Sequence, residues 1–146
     1  MIRPPANVGS VILCSDIIKD INNRLSFIGC YTHDIVIGQV PSSIRLALYV
    51  EVYRSARTPK SLDLRLTFEG EEAINVTAEI PGTPQAGLAL LMLPGLDAHF
   101  GGPGTFRGEI RINTNKWELL FEKKIIVGPV EELASVSVQA ASDPNV

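Results

Sequence analysis

Reactive side chains are scarce in this sequence: two cysteines, two histidines and one tryptophan among 146 residues. Two thiols outside any CxxC make no zinc site. Cys14 and Cys30 are equidistant from Asn22, the centre of an expected hairpin. They could therefore face each other across a strand pair, where a disulfide is geometrically open. The plainer expectation is two buried thiols in a reducing compartment. Long apolar runs are also missing. The longest, Leu88 to Leu93, is six residues, against the roughly 20 that a bilayer span needs. Met1 to Pro5 carries no apolar signal segment, so the expected location is cytoplasmic, with no membrane partner. Basic runs stop at Lys123-Lys124, and a formal charge of −3 offers nucleic acid little general attraction. No repeat of fixed period occurs, which argues against propellers and solenoids. No helical pattern exceeds two turns, which argues against α/β nucleotide-binding folds.

What is present is period two. Ile44, Leu46, Leu48, Val50 and Val52 alternate with Arg45, Ala47, Tyr49, Glu51 and Tyr53, and Leu62, Leu64, Leu66 and Phe68 alternate with Asp63, Arg65, Thr67 and Glu69. Successive strand side chains point to opposite faces, so each run has one oily and one wet side. Antiparallel sheets with one solvated face read this way. Strands are expected at 8–17, 24–31, 35–37, 44–53, 62–68, 74–80, 88–93, 105–113 and 117–127, with Asn22-Asn23 as a tight primed turn. A short helical turn at 17–22 competes with that turn. Leu88 to Leu93, apolar on both sides, reads as a central strand, and 94–104 as the largest irregular stretch. Trp117 reads as core. The expectation is an all-β, antiparallel β-sandwich of about 8–9 strands, one domain over residues 1–130, with 131–146 as a mobile tail. Leu46, Leu64 and Ile110 should lie inside it.

Sites for chemistry are few, and no catalytic residue or cofactor is expected. His33-Asp34 and Asp97-Ala98-His99 could share a divalent metal only if their loops met, and adjacent side chains on extended backbone diverge. Asp16, Asp20, Asp34 and Asp97 raise calcium, yet no DxD cluster occurs, and no metal site is assigned. Glu51, Glu79, Glu109 and Glu118 are candidate paired carboxylates, more simply read as a solvated face. Arg107, Glu109 and Arg111 suit cross-strand ion pairs there. The glycines at 101, 102 and 104 precede no helix and no lysine suited to a phosphate cradle. Tyr49 and Tyr53 share the outward face of one strand, where they could stack on a sugar or a partner, or be covered by the chain's own loops.

The opening third resembles an uncharacterised bacterial family. That family's first strand ends near a Cys-Asp pair, turns at Gly or Asn, and returns as Lys/Arg-Leu-Ser/Thr-apolar-Ile-Gly-apolar-Tyr. The matching residues are Ile12 to Asp16, with Ser15 interrupting the Cys-Asp pair, then Asn22 to Tyr31. Pro103-Gly104-Thr105-Phe106-Arg107 resembles the start of a late strand in such sandwiches. The resemblance implies an immunoglobulin-like or C2-like sandwich of bacteria or their phages, and no established activity.

The expected function is a non-catalytic module that binds another protein or associates with itself. The alternative is a small-ligand module for calcium or carbohydrate, using Asp34, Asp97, His99, Tyr49 and Tyr53. A hydrolase built on His33 or His99 ranks third.

Overall fold

The computed structural model describes residues 5–54 and 57–128. The expected tail at 131–146 lies outside them. The described residues form ten strands and no helix. The fold is all-β, with three sheets. A three-stranded sheet joins β1 (Val8–Cys14), β5 (Ser42–Arg54) and β8 (Gly87–Phe100) in the order β1-β5-β8. A five-stranded sheet runs β4-β10-β9-β6-β7, comprising β4 (Ile35–Ile37), β6 (Lys60–Phe68), β7 (Glu71–Ile80), β9 (Gly104–Ile112) and β10 (Glu118–Val127). A two-stranded hairpin pairs β2 (Asp16–Lys19) with β3 (Leu25–Ile28). Every pairing is antiparallel except that of β4 with β10.

The alternation read from sequence sorts side chains as expected. Leu46, Leu48, Val50 and Val52 of β5 are buried together with Leu62, Leu64 and Leu66 of β6 and Ile110 of β9. They belong to one cluster that draws on both larger sheets. A run of rings crosses that cluster: Phe68 meets Phe100 at 5.1 Å, Phe100 meets Phe106 at 5.4 Å, and Phe106 meets Phe121 at 5.5 Å between centroids. Phe100 comes from the three-stranded sheet and the other three from the five-stranded one. The first two contacts are edge-on, the arrangement that ring quadrupoles favour. Gly108 makes room for Phe121: a Cβ there would collide with that ring.

Turns follow local chemistry. The β6–β7 loop places Glu69 and Gly70 at φ of 51° and 80°, and the β9–β10 loop places Asn113 and Thr114 at 54° and 59°. Two successive positive φ values are the signature of the primed hairpin turn. Asn22-Asn23 does not form that turn. Only Asn23 has positive φ, and the Asn23 amide donates to the Asp20 carbonyl. The Asp20 carboxylate accepts from the amides of Asn22 and Arg24. This is the three-residue loop closed by a left-handed residue, with an aspartate holding its start.

Other expectations are corrected. The chain has ten strands among the described residues, not eight or nine, because the stretch from Val8 divides at Ser15. The helical turn at 17–22 is absent. Among the described residues Leu88 to Leu93 is not central: β8 has a strand neighbour on one side only. The stretch from Pro94 is not irregular either, since β8 continues to Phe100 through a bulge opposite Ala47. Trp117 lies on the outer face of the five-stranded sheet and is partly exposed.

Candidate functional site

The five residues singled out in sequence are spread over the molecule. Asp34 precedes β4, at one edge of the five-stranded sheet, where its carboxylate accepts from the Lys124 amide at 3.0 Å. Asp97 and His99 lie on β8 of the other sheet, opposite Arg45 and Ser43, and the His99 Nδ1 is hydrogen-bonded to the Ser43 hydroxyl. Tyr53 pairs with Leu88 at the far end of β5, ten residues from Ser43. At about 3.3 Å per strand residue that end is roughly 33 Å away. Among the described residues no group of three or more His, Cys, Asp and Glu side chains is placed to hold a metal ion.

Tyr49 is not exposed; it is 8% accessible. The β2–β3 hairpin folds over it, and Phe27 meets its ring edge-on at 5.0 Å. Its hydroxyl donates to Glu51 Oε2 at 2.8 Å, and Glu51 Oε1 accepts from the Ser10 amide at 2.9 Å. The Ser10 amide and the Tyr49 hydroxyl hold the Glu51 carboxyl below its ordinary range. Burial and the neighbouring Glu51 push the Tyr49 phenol upward.

The outer face of the five-stranded sheet is a charge ladder. Arg65 pairs with Glu109, Arg111 with Asp63, and Arg107 with Glu122, at 2.8–3.2 Å. Asp63 also accepts from the Thr77 hydroxyl at 2.9 Å, and with Arg111 this holds its carboxyl below the usual range. Trp117 lies under two guanidiniums, Arg65 at 4.0 Å and Arg111 at 4.6 Å from its ring centre. Arg65, Thr67, Glu69, Glu72, Arg107 and Glu109 line a groove of about 510 Å³ on this face. Its two arginines are already engaged by Glu109 and Glu122. Glu51 lies on the other sheet, so it cannot form a carboxylate pair with Glu109.

The opposite edge of the molecule is oily. On β8, Leu88 is 44%, Leu90 51% and Met92 36% exposed, and Tyr53 beside them is 49% exposed. The alternate residues Ala89, Leu91 and Leu93 turn inward and pack against the core. Between β8 and β7 a crevice of about 180 Å³ opens, lined by Val52, Leu62, Ala78, Ile80, Ala89 and Leu91. β8 pairs with β5 on one side and has no strand neighbour on the other among the described residues. Seven residues, Gly87 to Leu93, therefore form an uncharged open edge with apolar side chains on both faces.

No family model matches the chain, and no curated protein matches it. No helix among the described residues is long and apolar enough to cross a membrane. The apolar run Leu88 to Leu93 is prominent in sequence, but its edge position is not. The Trp117 stack was equally hidden, although period two already placed Arg65 and Arg111 on outward faces.

Proposed function

We propose that this chain is a non-catalytic protein-interaction module, and that it associates with a second copy of itself through the open edge of β8. The observation that carries the reading is the undefended stretch from Gly87 to Leu93. Sheet edges in folded proteins are normally blunted by bulges, brevity or charge. Among the described residues, the other three edges of the two larger sheets fit that rule. β1 is bulged between Val8 and Val11, β4 is three residues long, and β7 begins with Glu71-Glu72 and carries Glu79. β8 has no such device until Pro94.

The pattern of β8 is self-complementary. With Leu90 on a two-fold axis, antiparallel pairing sets Leu88 against Met92 of the partner subunit, and Leu90 against Leu90 of the partner subunit. No charge meets a like charge. A two-fold contact requires such self-complementarity, since both copies offer the same patch. Edge addition supplies main-chain hydrogen bonds, and the apolar row supplies contact area. Covering each half-exposed leucine is worth about 1 kcal/mol.

Within the same proposal the fold is an immunoglobulin-like sandwich. The strand order of the two larger sheets, their shared core and the parallel β4–β10 pair support it. The resemblance of the first hairpin to the uncharacterised bacterial family belongs to this proposal as well. The calcium or carbohydrate reading has no geometric support: Asp34 is engaged on one sheet, Asp97 and His99 lie on the other, and Tyr49 is covered.

Light scattering on the purified chain tests the reading. A dimer is expected, and Leu90→Glu, which would set two carboxylates face to face, should give a folded monomer whose melting temperature no longer rises with protein concentration. A wild-type chain that stays monomeric at high micromolar concentration would overturn it.

A further inference from the structure

We propose that Cys14 and Cys30 form an oxidisable pair that a low-molecular-weight disulfide, such as oxidised glutathione, closes into an intramolecular clasp between β1 and the hairpin. Both thiols are free. Two backbone hydrogen bonds bracket them: the Tyr31 amide donates to the Leu13 carbonyl at 2.8 Å, and the Ser15 amide, shared with the Ile28 carbonyl at 2.9 Å, to the Gly29 carbonyl at 3.1 Å. Residues bracketed in this way are a directly opposed, non-hydrogen-bonded pair. Such pairs bring Cα atoms to about 4.5 Å, within the span a disulfide bridges. A Cβ at Gly29 would point at the Ser15 hydroxyl. Ser15 and Gly29 thus lie side by side; Gly29, at φ 64°, interrupts the strand alternation, and Cys30 is near enough to act electrostatically on the Cys14 thiol. The expectation of two buried thiols holds for one of them only: Cys14 is inaccessible and Cys30 is exposed.

That asymmetry divides the labour. The exposed Cys30 thiolate attacks one sulfur of oxidised glutathione, forming a mixed disulfide and releasing a glutathione thiolate. Cys14 then loses its proton and attacks the Cys30 sulfur, which forms the Cys14–Cys30 bond and displaces the second glutathione thiolate. Two protein thiols are oxidised, one glutathione disulfide is reduced, and the two protons end on glutathione. Burial, with the nearby Cys30 as a smaller contributor, pushes the Cys14 thiol upward. The second step therefore quickens as pH rises.

Closure ties off the 17 residues from Cys14 to Cys30 and fixes the hairpin that covers Tyr49. The test incubates the full chain with oxidised glutathione and maps non-reduced peptides by mass spectrometry. Linked Cys14 and Cys30 peptides are expected from material that runs as a single chain on a denaturing, non-reducing gel, with a melting temperature roughly 5–10 °C above that of the reduced chain. Cys30→Ser should abolish both the linkage and the shift. Glutathione retained on Cys30 alone, or a Cys30–Cys30 bond between two chains, would overturn the proposal. Closure at pH 8 should run several-fold faster than at pH 7, and a pH-independent rate would contradict closure by thiolate attack.

Discussion

Phe27 of the hairpin and Tyr49 of β5 meet edge to face, their ring centres 5.0 Å apart. This contact seals the outer face of the three-stranded sheet over Ala47 and Cys14, both fully buried. Phe27→Ala should destabilise the protein by about 2 kcal/mol, less than for a full core phenylalanine because Phe27 is only partly buried. Urea denaturation measures the loss. Hydrogen exchange should localise it, with amides of β2 and β3 losing protection while those of β6 and β9 keep theirs.

Gly108 is a packing glycine. Its missing side chain is filled by the Phe121 ring. Gly108→Ala must push that ring aside, at about 1–3 kcal/mol. Gly101 has open space around it, so Gly101→Ala should change stability by less than about 0.5 kcal/mol. Equal effects at the two positions in a denaturant titration would contradict this packing.

Asp63 links stability to acid. Its hydrogen bonds from Arg111 and Thr77 lower its pKa from an ordinary value of 3.8. A carboxyl depressed in the folded state stabilises above the unfolded pKa, and that stabilisation disappears as pH falls through the folded pKa. The contribution is therefore intact at neutral pH, begins to fade near pH 3.8 and is gone only below the lower, folded value. Asp63→Asn should flatten the acid limb of the melting-temperature profile relative to wild type. An unchanged limb would show that the pair does not couple to folding.

Trp117 should behave as a partly exposed indole under two cations. Its emission should be quenched by acrylamide more readily than a core tryptophan's. Arg65→Ala or Arg111→Ala should shift the emission to the red as ring cover is lost. A blue, unquenched emission would place the ring in the interior instead.

Much of the sheet structure was legible in sequence because period two is a local signal. Leu62 to Phe68, with the run from Phe106 to Ile112, could be assigned to strands and sorted into inner and outer faces without knowing their neighbours. Cover and adjacency were not legible, because they depend on strands distant in the chain. Tyr49 alternates like an outward residue and is outward from its sheet, yet a hairpin some 20 residues earlier lies over it. Leu88 to Leu93 carries the composition of a strand buried on both sides. Among the described residues its outer row is open, because the three-stranded sheet ends there. Pro94-Gly95 reads as a break, yet the strand absorbs the pair as a bulge, with Gly95 at φ 69° and the Arg45 guanidinium lying against it. The candidate site was thus visible as composition, while its open edge emerged only from strand order.

The claim that β8 is a joining edge is tested most directly by hydrogen exchange of the amides from Gly87 to Leu93, measured across a range of protein concentrations. Edge pairing predicts that the outward-pointing amides of this stretch gain protection as concentration rises, and that Leu90→Glu abolishes the gain while β5 and β6 stay protected. Amides that exchange at the same rate at every concentration, in wild type and variant alike, would contradict it.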